Sequence, residues 1–320
     1  MKKYLWLFLA ALCSYIFYFF SLPPSTPYTP PPLPVQEQLL LVPLDSRPPC
    51  TLIAQDLGRL ASIDVILPPK ELLDNYRTPA NREKLSSWLS HNAGKCPAVI
   101  SGDLLIHGGL FAWRLPQGTV NDEQNFFKLL QAMPSGEDIT VFSIIPRLLV
   151  SDNLLPDAWY QWHLMRYSTL RDIVEQFGDY PSTAQLEEIK NKIPQEILQK
   201  YNVLYSTNDS FNKQLAALCA AKNYTLVIGQ DAAQPFGLPN RNRTHAEAYM
   251  RRAGLSSAST TTCGADEIAQ MLTARRFCQI NNYKPKFYIE YTTGSAATAI
   301  MPYMAVTAEA ALLDKIKFTG

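Results

Sequence analysis

From residue 37 onward, short apolar runs rich in β-branched residues alternate with stretches of helical spacing, and this alternation restricts the folded part to an α/β architecture. Seven runs read as strands, at 38–42, 63–67, 98–101, 139–145, 225–229, 260–263 and 287–291. They lack the inside-outside alternation of a half-exposed sheet, which points to strands buried between two layers. Between them, "TLIAQDLGRL", "DSFNKQLAALCAAK" and "ADEIAQMLTARRF" carry apolar residues at helical spacing. The expected fold is a largely parallel sheet with alternating helices. A (β/α)8-like barrel is favoured over a doubly wound open sheet, because seven or eight strands in about 250 residues plus an insertion is the usual barrel size. Residues 148–204, aromatic and charged with helical character, read as a helical insertion between the fourth and fifth strands. The terminal "DKIKFTG" reads as a strand cut off as it begins.

Ahead of this domain, 37–320, the chain carries two segments of different character. Residues 1–21 open with Lys2 and Lys3, then run apolar from Tyr4 to Phe20, close to the length of a bilayer span. A small-x-small cleavage site is hard to find after them, so the segment reads as an uncleaved signal anchor, or else a signal peptide, with the lysines on the cytoplasmic side. Residues 22–36 are proline-rich and read as a semi-rigid, extended spacer. Together they imply a membrane-anchored, extracytoplasmic protein. A net charge of +1 without a basic block argues against nucleic acid as a partner. Beyond Cys13 there are five cysteines with no C-x-x-C, which sets aside zinc sites and leaves room for one or two disulfides.

Polar residues gather where the strands end. "PLDSRP", "PPKELLDNYR", "SGDLLIHGG", "IPR", "GQDAAQPFG", "CGADE" and "YTTGS" follow the seven strands in order. In either architecture the carboxyl ends of parallel strands share one face, and ligands bind there. Asp45, Arg47, Asp103, Arg147, Asp231, Asp266 and Glu267 are thus candidates to converge. Structural duties compete for several of them. Asp266 and Glu267 open a helix and offset its dipole equally well, and Asp45 is as suited to capping or pairing with Arg47. Gly108 and Gly109 after His107 mark a turn needing positive φ. No G-x-S-x-G, Walker loop, H-E-x-x-H or G-x-G-x-x-G is present, so a nucleophilic serine, a bound nucleotide or a helix-borne zinc has no local support, and no bound cofactor is expected. Carboxylates with arginine and amide partners remain, suited to glycoside hydrolysis or to holding a hard cation.

Six stretches, "LLLVPLDSRPPC", "LPPKELLDNYRTP", "VISGDLLIHGGLFAWR", "VFSIIPRL", "LVIGQDAAQPFG" and "CGADEIAQMLTARRF", together resemble the bacterial family catalogued as domain of unknown function 4127. The resemblance implies longer relatives that usually carry two consecutive aspartates where this chain has Asp231-Ala232, with an acidic residue soon after, where this chain has "LPNRNR". Such paired aspartates are similar to those of glycosidases whose substrate's own N-acetyl group attacks the anomeric carbon. The expected function is a hydrolase acting on carbohydrate or cell-envelope material. Asp231 and Asp266 or Glu267 would be its acid/base groups, with Asp45, Arg47, Asp103, His107, Arg114, Arg147 and Gln230 around the substrate. The alternative is a non-catalytic envelope- or carbohydrate-binding protein, a degenerate relative of an enzyme family, which Ala232 favours.

Overall fold

The structure is a computed structural model that describes residues 12, 14, 34–76, 78–110, 120–148, 158–178 and 180–319. Nearly all of the expected anchor, 1–21, and of the spacer, 22–36, lies outside the described residues. No helix among the described residues is long and apolar enough to cross a membrane.

Six of the apolar runs pair side by side as β1 (Glu37–Val42), β2 (Ile63–Ile66), β3 (Ala98–Ser101), β4 (Ile139–Ile145), β5 (Thr225–Gln230) and β6 (Thr260–Cys263). All pairs are parallel, and the order is β2-β1-β3-β4-β5-β6. The sheet is open, with β2 and β6 at its edges, so the expected barrel closure does not form among the described residues. Its helices are α1 (Leu52–Leu60), α2 (Arg82–Asn92), α3 (Gly102–His107), α4 (Val120–Ala132), α5 (Gln161–Phe177), α6 (Tyr180–Lys190), α7 (Gln195–Lys222), α8 (Leu238–Ala253), α9 (Ile268–Ile280) and α10 (Ala308–Thr319).

The strand order follows from the handedness of crossovers. A right-handed β-helix-β connection places its helix on opposite faces when the chain moves left or right along the sheet. The step from β1 to β2 goes one way and carries α1; the steps from β2 through β6 go the other way. Leu40, Val42, Ile100, Val141 and Ile228 accordingly pack with Leu85, Phe126, Leu215 and Ala246 of α2, α4, α7 and α8. Leu39, Leu41, Val99, Phe142 and Val227 pack on the other face with Ala54, Ile268, Leu272 and Phe318 of α1, α9 and α10. The direction reverses at β1, and in sheets of this kind the crevice between the carboxyl ends of the strands flanking the reversal, here β1 and β3, is the usual place for a ligand.

The expected insertion is helical: α5, α6 and the first half of α7 share a core built from Leu164, Leu170, Ile189, Tyr201 and Tyr205. Its last helix continues without a break into the stretch from Asp209 to Lys222, giving one 28-residue helix. The seventh strand does not form. Residues 287–291 have neither helical nor strand structure, and Phe287 and Tyr288 are exposed. The physical reason lies at β6, where Lys315 Nζ of α10 donates to the Cys263 carbonyl (2.7 Å) and a helix takes the place beside that edge.

Close packing at the centre is testable at Gly229. A Cβ there would lie 2.6 Å from Ile268 Cδ1 and 2.7 Å from the Gly264 carbonyl oxygen. Gly229→Ala is therefore expected to cost about 2 kcal/mol in urea unfolding, as overpacking against backbone does.

Candidate functional site

The loop after β1 is shaped by proline. Pro48 confines Arg47 to extended backbone (φ −63°, ψ 148°), and the Arg47 guanidinium reaches back across Asp45. Arg47 Nε donates to Asp45 Oδ2 (2.8 Å), and the Arg47 backbone N–H donates to Asp45 Oδ1 (3.1 Å). The other side of the fork meets Asp266 at the start of α9, with Nη1 to Oδ2 at 3.0 Å and Nη2 to Oδ1 at 2.6 Å. One guanidinium thus clamps Asp45 and, 219 positions further along the chain from Arg47 itself, Asp266. Asp45 is fully buried, whereas the side chain of Asp266 is 41% exposed. Burial works against the Arg47 charge, but hydrogen bonds to the two carboxylates outweigh it and raise its pKa above the usual guanidinium value. Buried Cys50 lies against this clamp, and burial followed by the Asp45 charge pushes its thiol well above the normal range.

A residue that the sequence did not single out completes the cluster. Asp74, in the loop after β2, is only 6% exposed, and its Oδ1 accepts from the Ser46 backbone N–H (2.7 Å). Ser46 and Arg47 are consecutive, so adjacent amides hold Asp74 and Asp45. Gly109 (φ +119°) comes so close that a Cβ on it would lie 3.0 Å from the Asp74 carboxyl carbon. Burial pushes the Asp74 carboxyl up to about 6, the Ser46 N–H opposes this, and the charge of Asp45 adds to it. Its only sequence signal was its place in "PPKELLDNYR".

Asp103 and His107 flank the same crevice but serve the fold. Buried Asp103 follows the end of β3, and its Oδ2 accepts from the Ile144 N–H (2.9 Å), continuing the ladder to β4 by a side chain. Burial raises it to about 7. His107 closes α3 before Gly108 in the left-handed region (φ 81°), as its glycines suggested. Burial, then the charge of Arg82, lowers its imidazole to about 3, so it stays neutral at physiological pH.

The ends of β4 and β5 form a second polar group. The Arg147 carbonyl accepts from Tyr205 Oη (2.8 Å), the Asp231 N–H donates to the Ile145 carbonyl (3.2 Å), and the Leu148 N–H donates to the Ala232 carbonyl (2.9 Å). Asp231 Oδ1 accepts from the Ala232 N–H (2.7 Å). Two donors here are buried without an acceptor among the described residues: Arg147 Nε and Gln230 Nε2. Gln230 is 2% exposed and turns its oxygen toward Arg243 Nη1 (3.4 Å), away from Asp231's loop. Beneath them, Asn208 Nδ2 donates to the Ile144 carbonyl (3.0 Å) while its Oδ1 accepts from Asn212 (3.1 Å) and Asn242 (3.3 Å). Asn208→Leu strips partners from three buried groups and is expected to cost about 2 kcal/mol in chemical unfolding.

Glu267 is not brought to either group as a free acid: it sits at the N-terminal boundary of α9 and its side chain is paired with Lys315 of α10. Arg114 lies outside the described residues. The structure therefore unites Asp45, Arg47 and Asp266, places Asp231 and Arg147 at the neighbouring ends of β5 and β4, and leaves Asp103, His107 and Glu267 in supporting contacts. No three His, Cys, Asp or Glu side chains gather as a metal site among the described residues, which gives the hard-cation alternative no ligand set there. The five described cysteines are all free thiols, so the disulfides left open by the sequence are not formed among them.

The family model described as "Protein of unknown function (DUF4127)" matches residues 39–320, the strands, the crevice and both polar groups included. No curated protein and no solved structure matches the chain. The match spans well over half of the sequence and agrees with the six stretches that carried the resemblance, and the chain belongs to the DUF4127 family.

Proposed function

We propose that the protein is a hydrolase-type enzyme working by carboxylate acid/base chemistry at the β1/β3 crevice, with Asp74 as its proton-transfer group. The observation that carries this reading is a buried carboxyl raised to about 6 beside a second carboxylate, Asp45, fixed by Arg47. A carboxyl that holds its proton to near-neutral pH can protonate a leaving oxygen and take the proton back from water. Asp45 has its lone pairs engaged by Arg47, so its part is electrostatic: its charge adds to the burial that keeps the proton on Asp74. Carbohydrate or cell-envelope material is the proposed substrate class, resting on the paired aspartates that the family resemblance implies for relatives, and the extracytoplasmic face of a membrane is the proposed location, resting on the sequence of residues 1–36.

A second reading, binding without turnover, has its own support. Asp266 and Glu267 are tied up with Arg47 and Lys315, and Asp231 Oδ1 is bonded to the N–H of Ala232. Chromogenic glycosides and cell-wall fragments assayed with wild type and Asp74→Asn separate the two. Turnover that collapses in the variant supports the enzyme; saturable binding without turnover in either supports the binding protein.

A further inference from the structure

At the opposite edge of the sheet lies a cavity of about 350 Å³ walled by the end of α9, the loop after it and the end of α10. Beside it on α9, Arg276 is already paired with Glu37 at the start of β1 and with Asp138 just before β4 (3.1 Å) and is not among the lining residues. The cavity is lined by Arg275, Lys284 and Lys317, with Asn282, Tyr283 and Phe318, and no Asp or Glu is among its lining residues.

Three cations around one hollow, with no carboxylate among its described lining residues, favour an anion between them. None of the three has an ion-pair partner among the described residues. Arg275 spends one N–H on the Ala258 carbonyl (3.0 Å) and lies over the Phe318 ring (5.1 Å). A guanidinium carries five N–H donors, so most of its capacity is unspent. Burial lowers the Arg275 pKa, and only the charge of Glu137, which is outside ion-pair distance, works against that. A bound anion would relieve all of these costs together. The volume suits a small molecule rather than a polymer, and a fork plus two ammonium groups matches the several oxygens of a phosphoryl group.

We propose that this cavity binds phosphate, either as the free ion or as the monoester of a small molecule. The site is remote from the β1/β3 crevice and stands whether or not that crevice is catalytic.

The test is calorimetric titration of the full chain, in a mild non-ionic detergent and at constant ionic strength, with inorganic phosphate and with glycerol 3-phosphate. Saturable binding is expected for at least one of them. Lys284 and Lys317 are exposed, so K284A/K317A should fold normally and bind about tenfold more weakly or worse, the value of one or two lost charge-assisted hydrogen bonds. R275Q should show the larger loss. Tighter binding of glycerol 3-phosphate assigns the ester, and equal affinity assigns the free ion. Absence of binding by both ligands, or undiminished binding to K284A/K317A, overturns the proposal.

Discussion

Arg47→Met is expected to lower unfolding stability by about 3 kcal/mol, which for a chain of this size is roughly a 5 °C fall in melting midpoint. The loss comes mainly from Asp45, which is fully buried and would be left without its charge partner. The Asp266 limb contributes little, because its carboxylate is 41% exposed and water replaces the arginine. Methionine fills most of the vacated space, so the effect reports the charge rather than a cavity. A buried carboxylate stripped of its cation escapes by taking up a proton. The loss in Arg47→Met should therefore be large at pH 8 and shrink towards pH 4, as melts across that range would show. Arg47→Lys keeps a charge but not the fork, and should fall between the two.

Asp74→Asn is expected to move activity and stability in opposite directions. Loss of the proton-transfer group should lower kcat by about 10²- to 10⁴-fold on any substrate turned over by the wild type, with KM little changed. Stability should rise instead. The Asp74 carboxyl titrates near 6 in the folded state and near 4 when unfolded, so between those values the native state holds a proton that the unfolded chain releases. Stability attributable to Asp74 is thus greatest below about pH 4, falls as pH rises through 6, and stays low above it. Asparagine carries no charge and its oxygen can still accept from the Ser46 N–H. Asp74→Asn should then be more stable than wild type by roughly 1–3 kcal/mol at pH 8 and show no gain at pH 4. A site kept at the expense of stability in this way is typical of working chemistry, whereas a purely structural aspartate would lose stability on substitution.

Much of this fold was legible in the sequence because it rests on local pattern. The runs at 98–101, 139–145 and 260–263 coincide with β3, β4 and β6 residue for residue, since apolar β-rich stretches bounded by Pro, Gly or polar residues have little else to become. Strand order was not legible. Barrel and open sheet share the same alternation, and the reversal at β1 is decided by which face α1 and α2 cover, a matter of packing across long separations. The run at 287–291 has strand composition, yet Lys315 of α10 occupies the edge it would need. The site was half legible for the same reason. Asp45 and Arg47 stood out between prolines, but their link to Asp266 spans 219 positions. Asp74 looked like one more loop acid, and what sets it apart is burial, the Ser46 amide and the approach of Gly109, none of which its neighbours in sequence supply.

Whether the Asp74 carboxyl stays protonated to near-neutral pH is measured most directly by a carbon-detected NMR titration of the aspartate side chains, with Asp74 assigned by its absence in Asp74→Asn. The account predicts a midpoint near 6 for Asp74. A midpoint near 4, that of an ordinary aspartate, would contradict it.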